Sequence, residues 1–293
     1  MTHSTYIKLS LLLILTILPA LPAKAQRLVY EKSDSIEIVT LLKNAPPQLR
    51  SAEYVIHFAK ALAGKPYHAH TLDKTPTENL VVNMRGLDCC TFVEVVTALT
   101  LCREKNSVSF ADFCNNLRKI RYLDGEVAYH KRKHYFTTWA KSNVADGLLI
   151  EVPVGNACNL NVKHKTVSLN YMSRHTEAYK MLSGNAQRIE QIKQTEEEYS
   201  GSVIPYIPKQ SFRNSKDNAQ LCETVRDGDI IAIVTNKNGL DVSHLGIASW
   251  HSDGLHLINA SSIHKKVIDE PMLFYDYMQK HPSQVGAYIL RCR

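Results

Sequence analysis

Seven cysteines occur in 293 residues, and no two of them stand in a C-x-x-C pair or at zinc-finger spacing, which argues against a cysteine metal site. Basic clusters are equally scarce. Lys131-Arg132-Lys133 is the one tight group in a chain of net charge +7 whose acids and bases are otherwise interspersed, so no nucleic-acid role is inferred. Apolar runs long enough to span a membrane are missing too. Residues 9–18 form a ten-residue run behind Lys8, ended by Pro19 and followed by Ala23-Lys24-Ala25. That is the pattern of a secretory signal peptide over 1–25, with the mature chain beginning at Gln26 and a periplasmic destination. An uncleaved anchor is the lesser reading, and no stable membrane insertion is expected. No cysteine adjoins the cut, so nothing suggests a lipoprotein, and removal of Lys8 and Lys24 lowers the charge from +7 to +5. An odd cysteine count in an exported protein leaves at least one thiol unpaired unless a bridge is intermolecular. No repeat is found.

What is present can bury a real core, at 44% hydrophobic residues. The organising stretch runs from Arg85 to Glu94. Gly86 supplies a turn, Asp88 an N-cap, and Phe92, Val93, Val95, Val96 and Leu99 recur at helical spacing, so a buried helix starts beside Cys89. A thiol there meets free amides and the positive dipole end, which favour thiolate and can hold an oxyanion. Against this stands the plain reading that Cys89 and Cys90 are packed core residues.

Upstream, Ser33 to Leu42 and Ser51 to Leu62 read as helices, and 80–84 as a short extended run. Downstream, Phe110 to Ile120 is another helix, and a polar, aromatic stretch extends from Tyr129 to Trp139. Residues 155–220 are less patterned and read as an insertion on the core, with a helix over Thr176 to Lys193 and a non-central extended segment at Ile204 to Pro208. From Asp227 the pattern is one of strands: Ile230 to Val234, Leu245 to Trp250, Leu255 to Ala260 across a hairpin at 251–254, and Val285 to Leu290. Helices first and an antiparallel sheet after is the α+β class.

A nucleophilic cysteine needs a base, and the base needs an orienting partner. Of thirteen histidines, His244 stands at the entry of a strand just after a turn. A hairpin folded about Ser252 sets Asn259 opposite His244 to Gly246, on one face with Leu255 and Leu257, so its side-chain oxygen can hold the imidazole. His256 points the other way and is the alternative orienter, reachable only through a bulge. A histidine merely satisfied near the surface is the competing explanation.

Asp88-Cys89 before an apolar helix, the Gly-Asp-Ile strand at 228–230, His244-Leu245-Gly246-Ile247 and Leu257-Ile258-Asn259-Ala260 together resemble the NlpC-type, papain-fold cysteine peptidases of bacterial cell walls. Gly64-Lys65-Pro66-Tyr67, Asp88 through Glu94, Arg132 through Trp139 and Leu240 through Gly246 resemble its N-acetylmuramoyl-L-alanine amidase-like branch, over roughly residues 50 to 291. The resemblance implies one papain-like amidase domain over 26–293. It implies Cys89 as nucleophile, His244 as base and Asn259 as orienter, accepting from imidazole Nδ1 where the superfamily often has histidine. It implies muropeptides as substrate and no metal or organic cofactor. Tyr67, Arg132, His134 and Tyr135 are candidate cleft residues, the arginine for a peptide carboxylate and the aromatics for sugar, against an equally weighted reading as packing. Asp88 is expected to cap rather than catalyse, and Glu94 to hold the N-terminal region by hydrogen bonds. Of the two thiols, Cys89 is expected to face His244 and Cys90 to turn into the packed interior. The rivals are a peptidase cutting between D-glutamate and the diamino acid, a transglutaminase-like acyltransferase, and an inactive wall-binding module.

Overall fold

The computed structural model describes residues 28–154 and 160–293. The expected leader and its cut before Gln26 lie outside the described residues. In chain order the elements are β1 (Leu28–Val29), α1 (Lys32–Asn44), α2 (Ser51–Ala61), β2 (Leu80–Val81), α3 (Cys89–Glu104), α4 (Phe110–Arg121) and α5 (Phe136–Ala145). Then come β3 (Leu149–Glu151), β4 (Lys163–Thr166), α6 (Tyr171–Arg174), α7 (Ala186–Tyr199), β5 (Val203–Pro208) and α8 (Ala219–Thr224). The last part holds β6 (Ile230–Thr235), β7 (Val242–His251), β8 (Gly254–Ser261), β9 (Lys266–Asp269), α9 (Phe274–Gln279) and β10 (Gln284–Cys292). The class is α+β with an antiparallel main sheet ordered β4-β5-β10-β6-β7-β8-β9, and β3 pairs with the far end of β10.

Strand β6 explains why its sequence is apolar without alternation. Ile230, Ala232 and Val234 face the helical layer while Ile231 and Ile233 face a second cluster around Phe212, Leu221, Phe274 and Met278, so both faces are buried. Helix α3 is the axis of the helical layer. Every residue from Thr91 to Cys102 is buried, since α2 and α4 pack against it and β7 and β8 lie beneath it. Its start is a reciprocal cap. The Thr91 amide donates to Asp88 Oδ1 at 2.8 Å, and the Asp88 amide donates back to Thr91 Oγ1 at 2.9 Å.

Two sequence expectations need correction here. The helix over 176–193 is instead a single 3-10 turn at Thr176–Ala178, then turns, and a helix beginning only at Ala186. Gly184 sits at φ 72° and Asn185 caps the later helix by accepting from the Arg188 amide, so a glycine and a cap divide what periodicity alone joins. Cys90 does not turn inward but is exposed, while Cys89 is half-buried. The extended segment at 204–208 is second from the sheet edge, with Pro205 paired to His164 of β4 and Pro208 to Gly286 of β10. Segment 160–217 thereby contributes two strands to the sheet.

Candidate active site

Cys89 is the first residue of α3, where the helix amides have no partner earlier in the helix. Strand β7 brings His244 to it. Pairing with β6 slips between Ile233↔His244 and Val234↔Val242, so Ser243 is a bulge residue that re-aims the strand at this point. The β7–β8 register, Ile247↔Ile258 to His251↔Gly254, extends to place Asn259 across from Gly246 and diagonal to His244. Asn259 is fully buried, and its Oδ1 lies 3.0 Å from His244 Nε2. The ring nitrogen is therefore Nε2 and not the Nδ1 expected from the family pattern. Tyr277 of α9 stacks on the imidazole, ring centres 5.9 Å apart at 29°. His256 is engaged elsewhere, with Nδ1 2.8 Å from the Glu270 carbonyl and Nε2 3.0 Å from Asp253.

The electrostatics follow from these contacts. A hydrogen bond from Cys90 holds the Cys89 thiol well below its ordinary pKa, helped by the hydrogen bond and charge of His244 and by the Leu245 amide, all against the cost of burial. Burial lowers His244, but the hydrogen bond and charge of Cys89 and the Asn259 bond outweigh it and leave the imidazole above its usual value. Cys90 is pushed the other way, chiefly because its proton is held by Cys89. The Asp88 carboxyl is raised to about 6 by burial and by the Cys89 charge, opposed by its bonds to Thr91.

A cavity of about 210 Å³ opens beside this group. Cys89, Cys90 and Glu94 of α3 line one side, and residues 240–245 the other. The far wall is aromatic: His134, Tyr135, Phe136, Trp139 and Tyr179, with Met172. His134 is held neutral, its pKa pushed down to about 3 by burial and the Arg132 charge, and its Nε2 lies 2.8 Å from the Tyr129 carbonyl. Tyr135 donates to Glu196 Oε1 at 2.6 Å and accepts from the Met172 amide. Arg132 does not reach the cavity; its buried guanidinium donates to Asp73 and Glu78 at 2.6 and 2.9 Å and lies over Tyr129. Tyr67 also stays out of the lining, yet its phenol is raised to about 12 by burial and by the nearby charges of Cys89, Asp88 and Cys90. Glu94 accepts from Arg121 Nε at 2.7 Å, and Arg121 reaches the Val81 carbonyl, which ties α3 to α4 and to the N-terminal strands.

Sequence reasoning missed Tyr277, the Leu245 amide and Asp241. The buried Asp241 carboxylate accepts from the Thr137 amide at 2.6 Å at the start of α5 and from the Val242 amide. Its place inside the Leu240–Gly246 stretch, just before the β7 run, is the signal that could have drawn attention to it.

The α+β frame and the relatives of this chain place it in an amidase-like hydrolase class. The AmiA-like family model, described as N-acetylmuramoyl-L-alanine amidase-like, matches residues 57–286, and the chain belongs to that family. An N-acetylmuramoyl-L-alanine amidase from Bacteroides uniformis is 33% identical with TM-score 0.76, covering 83% of this chain and 99% of its own. A Bacteroides fragilis protein described as a xylanase candidate is 35% identical with TM-score 0.73, over 80% and 99% of the two chains. A Legionella pneumophila protein is similar in fold at 23% identity and TM-score 0.67, over 89% and 93%. No curated protein matches.

Proposed function

We propose that this chain is an exported, periplasmic cysteine amidase of papain-like, NlpC-type fold that hydrolyses the N-acetylmuramoyl-L-alanine amide of muropeptides. The observation that carries the mechanism is the linked series of Cys89 at the start of α3, His244 and Asn259 Oδ1. The family and the B. uniformis neighbour support the amidase class and a peptidoglycan substrate.

In this reading Cys89 Sγ attacks the lactyl carbonyl carbon, and the tetrahedral oxyanion is held by the Cys89 amide with a second donor nearby. The C–N bond breaks as His244 gives its proton to the departing alanine amine. Water, deprotonated by His244, then cleaves the thioester and frees the lactyl carboxylate and the thiol. Asn259 keeps Nε2–H engaged, so that Nδ1 faces the sulfur. Tyr135 and its neighbours offer apolar cover to substrate, and His134, being neutral, adds no charge.

The xylanase description of one neighbour finds no support in the cavity. Glycoside hydrolysis ordinarily needs two available carboxyl groups across the bond. The two carboxylates in the lining are committed, Glu94 to Arg121 and Asp241 to two backbone amides.

Mass spectrometry of defined muropeptides after digestion tests the proposal. Separation of sugar from an intact stem peptide with an alanine amino terminus is expected. Release of a dipeptide would move the reading to an endopeptidase, and turnover unchanged in Cys89→Ala would end it.

A further inference from the structure

The tip of the β7–β8 hairpin carries a second group of chemically active side chains away from the cavity lining. His251, Asp253 and His256 each offer one ligand atom, and these atoms lie within 4.8 Å of one another. His256 is 2% exposed, and its Nδ1 lies 2.8 Å from the Glu270 carbonyl, an acceptor, so Nδ1 carries the hydrogen. Its Nε2 then faces Asp253 Oδ1 at 3.0 Å, and His251 Nε2 faces Asp269 Oδ2 at 3.1 Å. The two rings stack at 4.2 Å and 20°. A neutral His256 would set a lone pair against a carboxylate oxygen, so a positive charge belongs between them. A divalent ion held by His256 Nε2 and Asp253 would supply that charge, with His251 Nε2, which also lies 3.1 Å from Ser249 Oγ, as its third donor.

We propose that His251, Asp253 and His256 bind a borderline transition-metal ion of the zinc class. Two imidazoles and one carboxylate are a donor set suited to that ion rather than to calcium or magnesium, which prefer oxygen. The Glu270 carbonyl orients His256 as an outer partner usually orients a metal-bound imidazole. Tetrahedral zinc with bonds of about 2.0–2.1 Å needs ligand atoms about 3.3 Å apart. His251 and Asp253 have side chains 39% and 62% exposed and are free to close that gap. Three protein ligands leave a fourth position for water. The ion would clamp the turn joining the two strands that carry His244 and Asn259.

Zinc also binds thiolates, so the test uses untagged protein with its accessible thiols alkylated. Calorimetric titration with zinc at pH 7.5 should give one site per chain. His251→Ala and Asp253→Asn, both at exposed positions, should each weaken it at least tenfold with an unchanged circular dichroism spectrum. Cobalt substitution should give visible absorption bands lost in the same variants. Saturating zinc should raise Tm in the parent and not in His251→Ala. The proposal is overturned by no binding, or by binding that both variants retain. Its failure would leave the cysteine amidase reading untouched, because none of these residues belongs to that site.

Discussion

At the scale of single residues, the adjacent thiols are driven in opposite directions, Cys89 toward thiolate and Cys90 toward thiol, each through the other as neighbour. Both line the cavity. Cys89→Ala should abolish hydrolysis, with the melting curve nearly unchanged. Cys90→Ser keeps a donor and, because the side chain is exposed, should cost little in activity or stability. Cys90→Ala removes the donor. The thiolate–imidazolium pair exists above the lowered pKa of Cys89 and below the raised pKa of His244, so kcat/KM should rise through the first and fall through the second. Cys90→Ala should move the acid limb to higher pH. A full pH profile of the three variants checks this, and an acid limb identical in Cys90→Ala and the parent would remove Cys90 from the mechanism.

At the scale of elements, the site is a helix start set against a strand with one bulge. His244→Ala should lower turnover by ~10²- to 10⁴-fold, since proton transfer itself is lost. Asn259→Ala should leave more activity than that, because Tyr277 still holds one face of the ring. Steady-state kinetics on folded variants measures both. The hairpin and the place of Asn259 were legible because strand alternation and a two-residue turn leave little freedom of register. The choice of Nε2 over Nδ1 was not, because the orientation of a ring leaves no mark in residue spacing. Helix α3 is tied to α4 by the Arg121–Glu94 pair, with side chains 2% and 9% exposed. Glu94→Ala would leave a buried guanidinium uncompensated and should cost about 3–5 kcal/mol, read as a lower urea midpoint. Its use as a tie agrees with the holding role that its position in the helix suggested.

At the scale of the whole molecule, Cys89, His244 and the wall opposite them come from separate stretches of chain. Local spacing made α3, β6, β7 and β8 readable in order, and a family resemblance joined them. Of the four residues expected at the cleft, His134 and Tyr135 line the cavity and Tyr67 and Arg132 do not. Arg132 looked available because its partners, Asp73 and Glu78, stand more than fifty residues away, and charge pairing over that span leaves no local pattern. Tyr135 depends on Glu196 of α7, whose Oε1 accepts from the tyrosine hydroxyl at 2.6 Å and from the Ser173 amide at 3.0 Å. Met172 is held in turn by the hydrogen bond that its backbone amide donates to the Tyr135 hydroxyl oxygen. Glu196, 2% exposed, thus fixes two cavity residues and touches neither Cys89 nor His244 in any hydrogen bond described. Glu196→Ala leaves the tyrosine hydroxyl and the Ser173 amide without their acceptor, at about 1–3 kcal/mol for each group left unsatisfied. Loosening that wall should raise KM for a muropeptide by more than it lowers kcat, because α3 and β7 keep the thiol and the imidazole in register. The rate of Cys89 alkylation by iodoacetamide should stay near that of the parent, which separates a displaced wall from a damaged nucleophile. Should alkylation slow in step with turnover, the middle segment would be supporting α3 itself, and Glu196 would lose its place as a substrate-positioning residue.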